Sequence, residues 1–539
     1  MWSVFWKQKK ECIVKSEKLI LSLVGLVVIS VMATAAPARR EGRVAVMENG
    51  EATTVYLHGD EFFHWETNAE GDWVERQADG KYTKVPALSN EEINRQRRLS
   101  PIYRAQQEMT ANAAATASKP ARGVVILVNF SNISFTTNTD NIRDAIGLEG
   151  YTNTAVGAIG SAHDYFKAAS NGKYAPEFDV WGPYTLSNTS GYYGGSSGTD
   201  LGYLMANEAC SLAYADGKSF APYSTANYEV DYVYIIYAGY DGAQNGANTV
   251  WAHAFDVSNR VNRQGRTYGG YSIGKYACSS ELMGNTGNNQ NGIGTFCHEF
   301  SHILGLPDYY VTGNGAKSNP NYDLTNGYWS LMDYGCYNNN GWTPCLYSAY
   351  DRYFMGWETP VLLNAACNDT VPINGSGDGS TRMITPTGKM ALYTYADSVW
   401  YIENRQNQGW DAYLPGHGLI ITRVRYNSSA WSEDVVNNST PMLYDIKEAG
   451  GKLSYFGDPS DPYPGTMNVT TYTPTSNYTM SEINELSDGR VAFKFMGGME
   501  PTAIEDCRVK NEDYRIKIVD GMVVIEREGR RYNILGKML

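Results

Sequence analysis

His298-Glu299-Phe300-Ser301-His302-Ile303-Leu304-Gly305-Leu306-Pro307-Asp308 is the stretch from which the fold and chemistry of this 539-residue chain are read. Its two histidines are four apart, so on a helix they lie on one face about one turn from each other. Both imidazoles can then grip one zinc ion, and Glu299, beside the first, points a carboxylate at a water on that metal. Gly305 tolerates the positive φ of a helix end and can turn the chain back. That turn would bring Asp308 to the metal as a third ligand. Three protein ligands with one open position is the pattern of a catalytic zinc, whereas a structural zinc is closed by four. Two blander readings compete: a histidine pair satisfied in an apolar core, and a structural zinc. The chain has only seven histidines. A glutamate, a glycine and an aspartate at these offsets favour the catalytic reading.

Downstream, Trp329-Ser330-Leu331-Met332-Asp333-Tyr334-Gly335 has the form of a Met-turn, the loop that runs beneath the metal in the metzincin clan of zinc proteases. With both motifs the chain resembles the immune-inhibitor-A family of secreted bacterial metallopeptidases, which typically read His-Glu-Phe-Gly-His-x-Leu-Gly-Leu-Pro-Asp. Ser301 stands where the family has glycine, at a position that is neither ligand nor base. The resemblance implies an α+β fold: a metzincin-like catalytic domain with a mixed sheet, a zinc helix and a Met-turn. Zinc is the implied cofactor, and proteins or peptides are the implied substrates. Met332 would pack under the metal, although such a methionine is more often plain core filler. In similar metzincins the tyrosine two after the methionine binds the metal or the oxyanion, which makes Tyr334 a candidate catalytic residue beside Glu299.

The formal net charge of −13 disfavours nucleic acid and anionic membrane surfaces as partners, because phosphates call for a basic surface. The N-terminus reads as a secretion leader. Lys7, Lys9, Lys10, Lys15 and Lys18 precede an apolar run from Leu19 to Met32, and Ala33-Thr34-Ala35 supplies a small-x-small cleavage site. That run is short beside the ~20 residues a bilayer span needs, and no later segment suits one. Cys12 would leave with the leader. Cys210, Cys278, Cys297, Cys336, Cys345, Cys367 and Cys507 remain, with no CxxC pair to suggest a thiolate zinc site. Cys336 and Cys345 are close enough in sequence to bridge, a point the sequence leaves open.

Five segments follow: a leader (1–36), a propeptide-like block (37–119), a zinc metallopeptidase domain (120–360), a β-rich, β-sandwich-like domain (361–498) and a short β tail (499–539). The second holds a charged helical stretch, Asn90 to Arg104, and ends in an alanine-rich linker before Lys119, the kind of site where proteolysis acts. It resembles the family's propeptide and is read as a latency segment. It has no cysteine, so His58, Asp60 or His64 are the groups that could occupy the metal. The catalytic segment shows buried-strand runs at 124–128 and 231–237, helices at 162–169 and 206–215, the zinc helix at 293–304 and a last helix at 346–355. His253, in a Trp-x-His resembling the family's, either lines the cleft or is a structural histidine. Calcium is admitted as a second cofactor, but Ser224 to Val230, where relatives carry an Asp-rich loop, has too few carboxylates to locate a site.

Residues 390–395, 400–403, 418–424 and 491–495 read as strands of the β-rich domain. A hairpin, Ile516 to Val519 and Val523 to Ile525 around Asp520-Gly521, gives the tail its signature. It is similar to the sorting domains of type IX secretion, which implies outer-membrane secretion machinery as a partner and an extracellular or cell-surface destination. Together these features read as a secreted zinc endopeptidase. A surface adhesin or glycan-binding protein with a vestigial protease module is the alternative from another class, and a metal-dependent hydrolase of a non-peptide bond is a third.

Overall fold

Arg122–Asn129 and Val233–Tyr240 are near-continuous apolar runs, the pattern of parallel strands covered on both faces, and a computed structural model sets them side by side. It describes residues 34–93, 121–499 and, as backbone, 514–519, 522–527 and 530–532, less 40, 60–62, 78, 90–91, 196–200, 225–227, 247–248, 257–266, 313–318, 320, 322–323, 374–377, 387–397 and 452–455. Two compact units divide the chain. The first is Met1–Phe166, Ala175–Pro344 and Asn427–Met442; the second is Lys167–Tyr174, Cys345–Tyr426 and Leu443–Leu539. The leader's apolar run, the 390–395 run and nearly all of Asn90 to Arg104 fall outside the described residues.

The first unit opens with β1 (Thr34–Ala35), followed by an antiparallel sheet of β2 (Arg43–Val46), β3 (Ala52–Gly59), β4 (His64–Asn68), β5 (Trp73–Arg76) and β6 (Tyr82–Lys84), paired in that order. The central sheet then takes β7 (Arg122–Asn129), helices α1 (Thr139–Gly147) and α2 (Ala162–Ala169), β8 (Glu177–Thr185) and helix α3 (Gly202–Ala215). Next come β9 (Glu229–Val230), β10 (Val233–Tyr240), β11 (His253–Asp256), β12 (Thr267–Tyr268), β13 (Tyr271–Ile273), β14 (Lys275–Leu282) and helix α4 (Gly294–Ile303). Strands order as β1-β11-β14-β10-β7-β8, with β9, β12 and β13 in a small separate sheet. β14, β10, β7 and β8 run parallel, while β11 lies antiparallel to β14 and β1 antiparallel to β11.

Strand alternation decides where α4 sits. Val233, Ile235 and Tyr237 point into a core shared with Met205, Ala209, Cys210 and Ala213 of α3. Tyr232 and Tyr234 point the other way, where their rings meet Phe300 and Phe296 at 4.8 and 4.1 Å. Phe178 and Phe166 add edge contacts to the same two phenylalanines. One face of α4 is thus buried on the sheet by aromatics four apart, leaving the histidines, also four apart, on another face.

In the second unit helix α5 (Ala349–Phe354) is opened by a reciprocal capping box between Ser348 and Asp351. One sheet orders β15 (Val361–Leu362), β17 (Arg382–Ile384), β18 (Val399–Arg405), β19 (Gly418–Val424) and β20 (Tyr444–Ile446). The other orders β16 (Cys367–Val371), β22 (Val491–Phe495) and β21 (Met480–Glu485). Ile402, Leu419 and Ile421 of the first share one core with Cys367, Met480 and Phe493 of the second. Arg405, fully buried, forks onto Asp411 through Nε (2.7 Å) and Nη2 (2.6 Å). In the tail, β23 (Tyr514–Val519), β24 (Met522–Arg527) and β25 (Arg530–Tyr532) form an antiparallel three-stranded ladder.

Candidate metal centre

Helix α4 ends in a Schellman turn. Leu306 N–H donates to Ser301 O (3.1 Å), and Gly305 N–H donates to His302 O (2.9 Å). Gly305 holds φ +102°, a conformation glycine adopts without steric cost. The reversal sends the chain back along the helix and carries Asp308 to the histidines. It also sets a histidine, because Leu306 O accepts from His302 Nδ1 (2.7 Å). His298 Nδ1 is held in the same way by Leu331 O (2.8 Å), in the turn built by Ser330 O accepting from Asp333 and Gly335. Met332 O in that turn accepts from Tyr309 N–H (2.9 Å). Ser301, in the family's glycine position, bonds back to Cys297 O within the helix (2.6 Å).

Carbonyl oxygens only accept, so both Nδ1 atoms carry the proton, and each neutral ring presents a bare Nε2. The two Nε2 atoms are 3.2 Å apart, and Asp308 Oδ1 lies 3.2 Å from His298 Nε2 and 3.4 Å from His302 Nε2. His298 and Asp308 are fully buried. Asp308 Oδ1 has no hydrogen-bond donor of its own. Burial keeps the His302 ring below its ordinary pKa, against the pull of Asp308. Three lone pairs therefore converge where no proton separates them, an arrangement a cation resolves. A tetrahedral zinc with bonds of ~2.0–2.1 Å sets its ligands roughly 3.3–3.4 Å apart, which these separations match. Among the described residues this trio is the group able to hold a metal.

Glu299 is fully buried on α4 next to His298. Tyr334 is buried, and its hydroxyl donates to the carbonyl of Ala38. The neighbouring N-terminal residues are held in series. Trp251 Nε1 donates to Ala36 O (3.0 Å), Tyr337 OH to Pro37 O (2.9 Å) and Arg39 N–H to Ala243 O (2.8 Å). β1 continues this segment onto the sheet edge, with Ala35 opposite His253.

The other sequence candidates lie elsewhere. His58 bonds Thr67 Oγ1 (2.8 Å) and stacks on Trp65, and His64 rests against Trp251. Neither joins the metal trio, and Asp60 lies outside the described residues. His253 is a structural histidine: fully buried, its Nδ1 donates to Trp251 O (2.7 Å) and its Nε2 accepts from Tyr276 OH (2.6 Å). The six described cysteines are buried thiols. Sequence reasoning missed Tyr310 and Asp434, which hold Asp308. Tyr310 left a faint signal, two residues past Asp308; Asp434, 126 residues away, left none.

Comparison with known proteins bears on the domain as a whole. Residues 215–358 match the family described as immune inhibitor A peptidase M6, catalytic domain. A protein of Arthroderma benhamiae named as a secreted metallopeptidase is 25% identical over 289 residues, covering 49% of this chain and 37% of that one. The pre-pro-metalloprotease PrtV of Vibrio cholerae serotype O1 is 25% identical over 239 residues, covering 38% of this chain and 25% of the relative. The chain thus spans well under half the length of the curated relatives it matches. These likenesses identify a metalloprotease domain in the chain. They do not favour the adhesin or glycan-binding alternative.

Proposed function

We propose that the protein is a secreted zinc-dependent endopeptidase, with the metal on His298, His302 and Asp308 and with Glu299 as general base. The carrying observation is the trio of bare acceptor atoms 3.2–3.4 Å apart, with both imidazole tautomers set by backbone carbonyls. These three side chains would hold a zinc ion, which would supply Lewis acidity to the attacking water and the scissile carbonyl. Glu299 takes a proton from the attacking water and returns it to the leaving amine. Tyr334 donates a hydrogen bond to the developing oxyanion, a role supported by its hydroxyl already resting on a peptide carbonyl, that of Ala38. The turn around Met332 acts as the Met-turn, binding His298 through Leu331 O and the ligand segment through Met332 O.

The same contacts support latency. Pro37, Ala38 and Arg39 belong to the block 37–119 that reads as a propeptide, and they occupy Tyr337, Tyr334 and the 243 backbone. A main-chain carbonyl on Tyr334, rather than His58 or His64 on the metal, is the restraint we assign to this block. Secretion rests on the leader and on the three-stranded tail as a sorting domain for outer-membrane export. No described helix is long and apolar enough to cross a membrane. The test is casein hydrolysis by the processed chain lacking residues 37–119, with and without a chelator, beside Glu299→Ala. Hydrolysis should vanish with chelator and return with zinc, and the variant should keep zinc while losing nearly all turnover. Chelator-insensitive hydrolysis overturns the metal reading, and wild-type turnover in the variant overturns the base assignment.

A further inference from the structure

The segment that carries the third ligand, 308–312, is held by residues far downstream. Asn427–Met442 lies in sequence between β19 and β20 of the second unit yet packs in the first. There Asp434 Oδ1 accepts from the backbone N–H of Asp308 (2.7 Å), and Asp434 O accepts from the Thr312 hydroxyl. Asn437 Nδ2 donates to Tyr309 O (2.8 Å). Asn438 closes a two-way bond with Thr312, accepting from its N–H (2.9 Å) and donating to its carbonyl (2.5 Å). Asp434 is 5% exposed and adopts φ +48°, a left-handed conformation that Asp and Asn tolerate better than most residues. On the side-chain end, Tyr310 OH donates to Asp308 Oδ2 (2.9 Å).

Asp308 is thereby fixed at two points, its amide and its outer carboxylate oxygen, and only Oδ1 is turned to the histidines. A carboxylate tied this way offers one oxygen to a metal. Swung free it could offer both and fill the position that a catalytic zinc keeps open. We propose that Tyr310 and Asp434 are positioning residues of the metal centre, so that the 427–442 strap is a working part of the catalytic unit although the family match stops at 358. The proposal rests on Asp308 being a ligand, as argued above.

The test uses the full chain and measures the zinc dissociation constant by competition with a chromophoric chelator. Tyr310→Phe removes the hydroxyl at constant shape. Asp434→Gly removes the acceptor without straining the positive φ, and Asp434→Asn restores an acceptor oxygen. Loss of such outer partners weakens metal binding about 10–100-fold, so Tyr310→Phe and Asp434→Gly should each show that loss and Asp434→Asn should recover most of it. Tyr310→Phe decides the matter should Asp434→Gly fail to fold. Affinity within about threefold of wild type in Tyr310→Phe, or no recovery in Asp434→Asn, overturns the proposal. His302→Ala separates the two levels: zinc binding lost there but unchanged in Tyr310→Phe leaves the ligand reading standing and removes only the positioning role. Zinc retained at wild-type affinity in His302→Ala removes both.

Discussion

Replacing Gly294 by alanine tests whether helix α4 is seated by backbone contact. Gly294 is the first residue of α4, one turn before His298. A Cβ built there falls 1.8 Å from Cys336 O, 2.8 Å from Cys336 C and 3.0 Å from Gly341 Cα. The closest approach is about 1.6 Å short of the 3.4 Å at which ordinary contact begins. Its partner is a main-chain carbonyl that cannot rotate away, so the helix must move. Alanine's helix propensity returns about 1 kcal/mol, but overpacking against backbone costs typically ~1–3 kcal/mol or more. The net, a loss of up to roughly 2 kcal/mol, corresponds to a melting point lower by up to roughly 4–8 °C. Catalysis should suffer more. His298 and His302 ride on the helix, while Asp308 is tethered to Asp434, so the shift is felt inside the trio. A misplacement of about 1 Å can cost 10²-fold in rate. The assay is kcat/KM on a fluorogenic peptide, beside zinc content and the melting point of the zinc-free protein. Wild-type kcat/KM and an unchanged melting point in Gly294→Ala would refute the reasoning.

Three further outcomes are expected. Tyr334→Phe should lower kcat by about 10²–10³ with zinc content unchanged, as removal of one oxyanion donor does; an unchanged kcat removes Tyr334 from the chemistry. His253 is pushed by burial down to about 4 from 6.5. The unfolded chain therefore takes up its proton first as pH falls, and stability present above pH 6.5 is lost on the way to about 4. That amounts to about 3 kcal/mol, read from urea unfolding of the zinc-free protein, and His253→Asn should lack this slope; parallel pH profiles contradict it. Asp411→Ala removes the forked partner of the buried Arg405 guanidinium and leaves Glu403, at 3.4 Å, as its remaining carboxylate; it should cost about 3 kcal/mol, whereas a loss below about 1 kcal/mol would show the pair to be dispensable.

What could be read in advance follows from the range of the forces involved. α2 occupies 162–169 and β19 and β22 occupy 418–424 and 491–495 as their patterns predict, and α4 differs from its predicted span by one residue at each end. In each case periodicity or a turn residue supplies a local signal. The Gly305 reversal was legible because only a few residues suit a positive φ at a helix end. The grip of Asp434 on Asp308 was not, since a hydrogen bond spanning 126 residues leaves no local trace. Nor was the approach of Gly294 to Cys336, because a missing side chain records neither its reason nor its neighbour. β1 escaped notice because its two small residues lie within the stretch read as the leader and show no alternation.

A peptide carbonyl that belongs to the same chain as the hydroxyl it meets obeys different arithmetic from a free peptide. On the latency reading proposed above, the carbonyls of Pro37 and Ala38, which remain once the leader is cut, are delivered to Tyr337 and Tyr334 by covalent connection, at an effective concentration on the order of millimolar however dilute the protein. Micromolar competitors in solution leave such a guest in place, and so does dilution of the whole molecule. Only severing the tether turns it into an ordinary inhibitor that can drift away, so the onset of activity should track the cutting of the chain rather than the supply of anything to digest.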